Sequence, residues 1–250
     1  MKKHFHGGNI NQAAKKYDLN KDQIIDFSAN INFLGPPEIV LKEIKNNLTN
    51  IVDYPEPHAS SLKKVIGKNL GVNNNKVIIG NGAVELIYQL VKVMKPARAM
   101  VIDPTFSEYG LAVKSMGGKI KHLQLSRDNN FKVEIPEVKR YMDGVDMLFI
   151  CNPNNPTGVL INKFDLEELI KYADNKDVFI VIDEAFIDFI DKPDAYTVID
   201  LIKNYDNFLV LRSLTKFYAI PGLRLGYGIV NHKIVEEMEF NRDPWTINYL

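Results

Sequence analysis

Short apolar runs recur along this chain, and between them lie longer stretches whose apolar positions fall three and four residues apart. The runs are Lys76–Ile79, Ala99–Ile102, Lys119–Leu123, Met147–Cys151, Val178–Asp183, Phe208–Arg212 and Gly226–Val230. Helical spacing covers Val84–Met94, Glu108–Ser115, Pro136–Met142 and Lys163–Ala173. Such alternation predicts an α/β fold, a three-layer and mostly parallel sheet with helices on both faces. Val178 to Ile182 is apolar at every position, which suits a strand covered on both sides.

The two ends break the pattern. Residues 1–35 carry a short amphipathic stretch near Gln12–Tyr17 and then the polar Asp26-Phe27-Ser28-Ala29-Asn30-Ile31-Asn32, and they are expected to form an arm. Residues 36–242 then make up the large domain. At Asp243-Pro244 an N-cap is followed by proline in the first turn, which predicts a helix start. The sequence runs out at Leu250 on an uncapped apolar stretch. The expectation is therefore a chain ending inside a helix, with 243–250 as the start of an absent smaller domain; a short frayed helix is the alternative.

Composition narrows the function classes. Lys+Arg and Asp+Glu are both 31, so the formal net charge is zero and a basic nucleic-acid face is not expected. No apolar run is long enough for a membrane-spanning helix, no signal-like segment follows Met1, and one cysteine cannot form an intramolecular disulfide. The simplest location is the cytoplasm. No metal site is expected. Only six of the basic residues are arginines (98, 127, 140, 212, 224 and 242), and a planar fork is hard to replace where phosphate is gripped.

Candidate chemistry gathers where strands should end, which is where open α/β sheets bind ligands. Ser213-Leu214-Thr215-Lys216 is followed by Pro221-Gly222-Leu223-Arg224. The Lys216 amine can hold an aldehyde as a Schiff base, while the hydroxyls and Arg224 can hold a phosphate beside it. A cofactor that is both aldehyde and phosphate ester is pyridoxal 5′-phosphate. Gly80-Asn81-Gly82-Ala83 could offer amides to the phosphate, although a plain turn has the same sequence. Asp183 either caps a turn or meets a protonated pyridine nitrogen. Asn155, in a loop dense in turn residues and followed by a proline that could be cis, could donate to the ring hydroxyl. Tyr109 could stack on the ring and Tyr54 could offer its hydroxyl to phosphate, with core packing as the alternative for both. Cys151 reads as a small buried hydrophobe.

These segments are similar to the class I/II aminotransferase superfamily of pyridoxal-phosphate enzymes (fold type I), and the resemblance runs from His6 to Trp245. It is carried by Arg212-Ser213-Leu214-Thr215-Lys216 through Pro221-Gly222-Leu223-Arg224-Leu225-Gly226-Tyr227 and by Asp183-Glu184-Ala185-Phe186. His6-Gly7-Gly8-Asn9 and the 26–32 segment resemble the threonine-phosphate decarboxylase branch of cobalamin biosynthesis, a relative of the histidinol-phosphate aminotransferases. The resemblance implies the large domain of an aspartate aminotransferase-like fold. It implies that Lys216 carries the cofactor, Asp183 pairs with its ring nitrogen, Asn155 with its ring hydroxyl, and Tyr109 stacks on it. Gly82, Ala83, Ser213 and Arg224 would hold the phosphate, with Tyr54 reaching in from the other subunit of a homodimer. His6, Asn9, Asn32 and Asn155 would contact a phosphorylated amino acid. The implied reaction is decarboxylation of O-phospho-L-threonine to (R)-1-amino-2-propanol O-phosphate. A histidinol-phosphate-type aminotransferase and a non-catalytic pyridoxal-phosphate-binding fragment are the alternatives. Members of the family continue into a smaller C-terminal domain with an arginine for the substrate carboxylate, and this sequence stops before it.

Overall fold

A computed structural model describes residues 7–250. Its centre is a seven-stranded sheet of β1 (Val77–Asn81), β2 (Arg98–Asp103), β3 (Lys119–Gln124), β4 (Met147–Cys151), β5 (Phe179–Asp183), β6 (Phe208–Ser213) and β7 (Leu225–Ile229), in the order β1-β7-β6-β5-β4-β2-β3. All seven expected strands are present, each within two residues of its expected bounds. Pairs β2–β3, β2–β4, β4–β5 and β5–β6 are parallel, whereas β7 runs antiparallel to both β6 and β1. The reversal follows from the connection. Residues 214–224 hold only a single helical turn, α8 (Leu214–Phe217), and a 3-10 turn at Pro221–Leu223. A parallel crossover needs roughly a dozen or more residues, usually with a full helix.

Strand alternation divides the core between the two faces. Ile180, Ile182, Ile150, Val210 and Met100 pack on one side, against helices α6 (Ile135–Tyr141) and α7 (Lys163–Asp174). Val181, Phe149, Leu209, Leu211 and Val101 pack on the other, against α4 (Ala83–Met94), α5 (Glu108–Ser115) and α9 (His232–Phe240). Helix α7 shows why these segments are helical. Asn162 caps it, accepting from the Asp165 N–H at 2.9 Å, and Leu166, Leu169, Ile170 and Ala173 form a single buried stripe.

Sequence periodicity missed α2 (Glu38–Asn47), α3 (Ser60–Leu70) and α9, and it placed the arm helix α1 (Ile10–Tyr17) two residues late. Helix α2 buries none of its residues, and Ile39, Leu41, Leu48, Ile51 and Val52 are all exposed in it and the 3-10 turn after it. The helix expected from Asp243 is not formed. Trp245 takes a left-handed φ of 57°, which interrupts α-helical geometry, and Asn248 Nδ2 donates to the Leu223 carbonyl at 2.6 Å. Among the described residues, no helix is long and apolar enough to cross a membrane.

Behind the strand ends, β5 and β6 are tied by an ion-pair network. Arg212 Nε donates to Glu184 Oε2 at 2.8 Å, its Nη1 to Asp188 Oδ1 at 3.1 Å, and its Nη2 to Thr197 Oγ1 at 3.1 Å. Glu184 also accepts from the Val198 N–H and the Thr197 hydroxyl. Glu184 is wholly buried and Arg212 is 6% exposed, so each charge depends on the other. Removing one partner strands a buried charge at a cost of about 3–5 kcal/mol. Glu184→Ala is expected to lose stability of that size in urea unfolding, and Arg212→Met with Glu184→Leu together to lose far less.

Candidate active site

The carboxyl ends of β1, β4, β5 and β6 lie along one edge of the sheet, and the antiparallel strand β7 starts at that same edge. Cys151 at the end of β4 pairs with Asp183 at the end of β5; Ser213 at the end of β6 pairs with Gly226, and Gly226 pairs in turn with Gly80 of β1. Arg224, one residue before β7, is thereby returned to the mouth of β1 and β6. Its guanidinium lies against Gly82: a methyl group built on Gly82 would come 2.5 Å from Arg224 Nη2. A methyl group on Gly226 would meet the Ala83 backbone nitrogen, also at 2.5 Å. Both glycines are needed for this close approach, and Gly82 also has a φ of 80°. The amide of Ala83, at the N-terminus of α4, thus sits beside an arginine fork, a donor set suited to a phosphate. The Ser213 and Thr215 hydroxyls share a hydrogen bond of 2.8 Å and are both buried next to it.

Asp183 is 5% exposed. Its Oδ2 accepts from the Tyr109 hydroxyl at 2.7 Å and its Oδ1 from the Ala185 N–H at 3.0 Å. Burial pushes its carboxyl above the usual range, opposed by those two hydrogen bonds and by Lys216. Lys216 is pushed the other way: burial lowers its amine first, the Arg224 charge adds to that, and Asp183 opposes both. A buried carboxyl short of positive charge and an amine eased toward its neutral form thus share one site.

Asn155 lines a cleft of about 410 Å3 with Asn30, Ile31, Leu160, Phe186 and Phe189, and the Asn155-Pro156 peptide is cis. Tyr109, expected to stack on the ring, is brought to the site by its hydroxyl on Asp183. Its ring is wholly buried, parallel to Phe149 at 5.1 Å between centroids and edge-on to Phe106, which leaves the hydroxyl on Asp183 as its polar contact with the site. Tyr54 does not join the cluster of its own chain. It is 78% exposed and packs on Trp245 at 4.8 Å. Asn9 caps α1, its Oδ1 accepting from the Gln12 N–H at 3.0 Å, and Asn32 binds the carbonyl of Phe217 at 2.9 Å. His6 lies outside the described residues.

Sequence reasoning missed the support behind the site, which is Tyr109 as the donor to Asp183, the Ala185 amide, and the Glu184–Arg212–Asp188 network. The one available signal was an arginine, Arg212, following the apolar run Phe208–Leu211 within one strand.

The donor set fits pyridoxal 5′-phosphate. The buried carboxyl of Asp183 suits a protonated ring nitrogen, Lys216 suits the aldehyde, and the Gly82–Ala83, Ser213 and Arg224 cradle suits the phosphate.

A family model, Aminotransferase class I and II, matches residues 22–248. Threonine-phosphate decarboxylase of Salmonella typhimurium is 38% identical over 247 residues, 98% of this chain and 67% of the relative. Histidinol-phosphate aminotransferase of Methanococcus aeolicus is 32% identical over 236 residues, 93% of this chain and 62% of the relative. Among solved structures, histidinol-phosphate aminotransferase from Clostridium acetobutylicum matches with a TM-score of 0.82 at 35% identity, covering 90% of this chain and 66% of that one. L-threonine-O-3-phosphate decarboxylase from Porphyromonas gingivalis matches with 0.78 at 26%, covering the same shares. The chain spans 67% of the Salmonella relative and 62% of the Methanococcus one, and 65% of a putative threonine-phosphate decarboxylase of Caldanaerobacter subterraneus.

The raised Asp183 carboxyl has a consequence for stability. An acid that holds its proton more tightly when folded loses stability as pH rises from its unfolded value, about 3.9, through its raised folded value. Asp183→Asn is expected to remove that loss, so that without cofactor the variant melts a few degrees above the parent at neutral pH and level with it near pH 4. Thermal melts across this pH range read the difference.

Proposed function

This chain belongs to the aminotransferase class I and II family, and we propose that the protein it represents is a pyridoxal-phosphate-dependent decarboxylase of O-phospho-L-threonine, forming (R)-1-amino-2-propanol O-phosphate and CO2. The observation that carries the cofactor half of this reading is that Lys216 feels the charges of both Asp183 and Arg224, at the edge where β5, β6 and β7 meet. The substrate half is supported by the 38% identity to a threonine-phosphate decarboxylase over nearly the whole chain.

When bound, the cofactor supplies a cationic heterocycle that takes up the electron pair released at the substrate α-carbon. The residues of this chain provide the setting. Arg224, Ser213 and the Gly82 and Ala83 amides hold the phosphate and so fix the group at one end. Asp183 faces the ring nitrogen and keeps a proton there, its carboxylate oriented by the Tyr109 hydroxyl and the Ala185 amide. Asn155, lining the cleft, would donate its amide to the ring hydroxyl oxygen. Lys216 serves first as the attachment point and then as the proton carrier. Burial and the Arg224 charge lower its affinity for the proton, which makes the amine readier to give one up than an exposed lysine. After CO2 leaves, the Lys216 ammonium returns a proton to the α-carbon, and the product keeps its phosphate.

The second reading is a histidinol-phosphate-type aminotransferase, in which the same residues remove the α-proton instead. The 35% identity and TM-score of 0.82 to such an enzyme favour it. A non-catalytic cofactor-binding module is a third. We further read the protein as a cytoplasmic homodimer in which the exposed Tyr54 reaches the phosphate cradle of the other subunit. The bare apolar face of α2 is read as the seat of the smaller domain that longer relatives carry.

Full-length protein incubated with O-phosphothreonine and cofactor is expected to release CO2 without 2-oxoglutarate. Product that depends on 2-oxoglutarate would establish the aminotransferase instead, and cofactor binding without either product the module. Lys216→Ala is expected to abolish both the visible absorbance of the bound cofactor and its fixation by borohydride.

A further inference from the structure

The four-residue helix α8 carries Lys216 and cannot satisfy its own last carbonyls, since the final C=O groups of any helix lack partners within it. Beside the local N–H groups of Tyr218 and Ala219, donors come from the N-terminal arm, more than 180 residues earlier in the chain. The Asn32 backbone N–H donates to the Lys216 carbonyl at 3.1 Å, and Asn32 Nδ2 donates to the Phe217 carbonyl at 2.9 Å. Asn32 is itself held in a tight turn. Its Oδ1 accepts from the Leu34 N–H at 3.1 Å, its carbonyl accepts from the Gly35 N–H at 3.2 Å, and Gly35 takes a φ of 77°. Further back, Ser28 is clasped by Asp26 and accepts from the Gly8 N–H at 2.8 Å. The arm is thus a series of local clasps that ends on the peptide of the lysine.

The two ends of α8 are anchored unequally. Its N-terminal end continues from β6, where Ser213 pairs with Gly226 of β7. Its C-terminal end runs into Ala219, whose N–H reaches the Lys216 carbonyl only at 3.4 Å and whose φ is 51°. Both bonds from Asn32 are shorter than the one from Ala219. Lysine has a flexible four-carbon stem, so the reach of its nitrogen depends on where the Cα–Cβ bond points, and the attitude of the helix sets that direction.

We propose that Asn32 is a positioning residue: by gripping the terminal carbonyls of α8, it aims the Lys216 amine at the cofactor aldehyde. The proposal rests on the reading of Lys216 as the cofactor lysine. It assigns the Asn32 amide to the chain's own backbone, where the resemblance implies a contact with substrate.

Two variants of the full-length protein test it. Asn32→Ala removes both the turn acceptor and the grip on Phe217. Asn32→Ser keeps a hydroxyl acceptor for the turn, as serine does more weakly, but is too short to reach the Phe217 carbonyl. Two quantities are measured on cofactor-free protein. One is the rate at which visible absorbance grows as the Lys216 amine condenses with added pyridoxal phosphate, a step that forms the C=N bond and releases one water. The other is the affinity for pyridoxamine phosphate, which has no aldehyde and binds through the same cradle without that bond. In both variants the condensation is expected to slow by about ten- to a hundredfold, the scale on which small misplacements act, with pyridoxamine phosphate affinity within about twofold of the parent. Unchanged condensation overturns the proposal. So does parallel loss of both quantities, which marks general damage to the site, and so does slowing in the alanine variant alone, which makes the turn the cause. Absorbance that never appears in the parent, or that survives Lys216→Ala, overturns the proposal and the cofactor reading together.

Discussion

The site depends on a carboxylate that the sheet has taken out of water. Asp183 ends a strand whose every residue is buried, and burial makes its negative charge costly. A Tyr109 hydroxyl and an Ala185 amide reduce that cost without neutralising the charge. What remains is an electrostatic demand for a cation at one place, and this demand gives a ligand its orientation. The neighbouring Lys216 is subject to the same desolvation with the opposite sign. Burial thus prepares an acid and a base in one stroke, by pushing each toward its uncharged form.

Topology then decides which other groups can join. A parallel β7 would have placed Arg224 at the far edge of the sheet, away from Ser213 and Gly82. The short return through α8 forces the antiparallel direction, and the direction places the guanidinium within contact of the β1 turn. Glycine at positions 82 and 226 keeps that contact open. The Glu184–Arg212–Asp188 network holds the same strand ends from behind, on a side where no ligand is needed.

Most of this was legible in the sequence because strands buried on both faces, such as β4 and β5, announce themselves as continuous apolar runs, while the edge strand β3 shows only Ile120 and Leu123 among polar residues. All seven were readable, and so were Lys216, Asp183, Gly82, Ala83, Ser213 and Arg224 at their ends. Several failures come from contact between segments distant in the chain. Helix α2 is not one of them, since Val40, Leu41, Ile44 and Leu48 recur at helical spacing in the sequence and the helix forms without burying any of them. The helix expected after Asp243 had correct local capping signals, yet Trp245 turns left-handed and packs on Tyr54, and Asn248 is drawn to Leu223. Tyr109 has an ordinary aromatic context in sequence, and only the fold shows its hydroxyl meeting a carboxylate 74 positions away.

The open side of α2 has a practical meaning for anyone handling this polypeptide by itself. Ile39, Leu41, Leu48, Ile51 and Val52 form an oily strip facing solvent, and surfaces of that kind drive proteins to clump. With zero formal net charge, the chain has little long-range repulsion to hold copies apart. Together with Ile25, Phe27, Phe33, Leu34, Phe164 and Phe240, which are also exposed, this strip governs its colloidal behaviour, and a few surface charges placed among them would do more for solubility than any improvement to the well-packed interior.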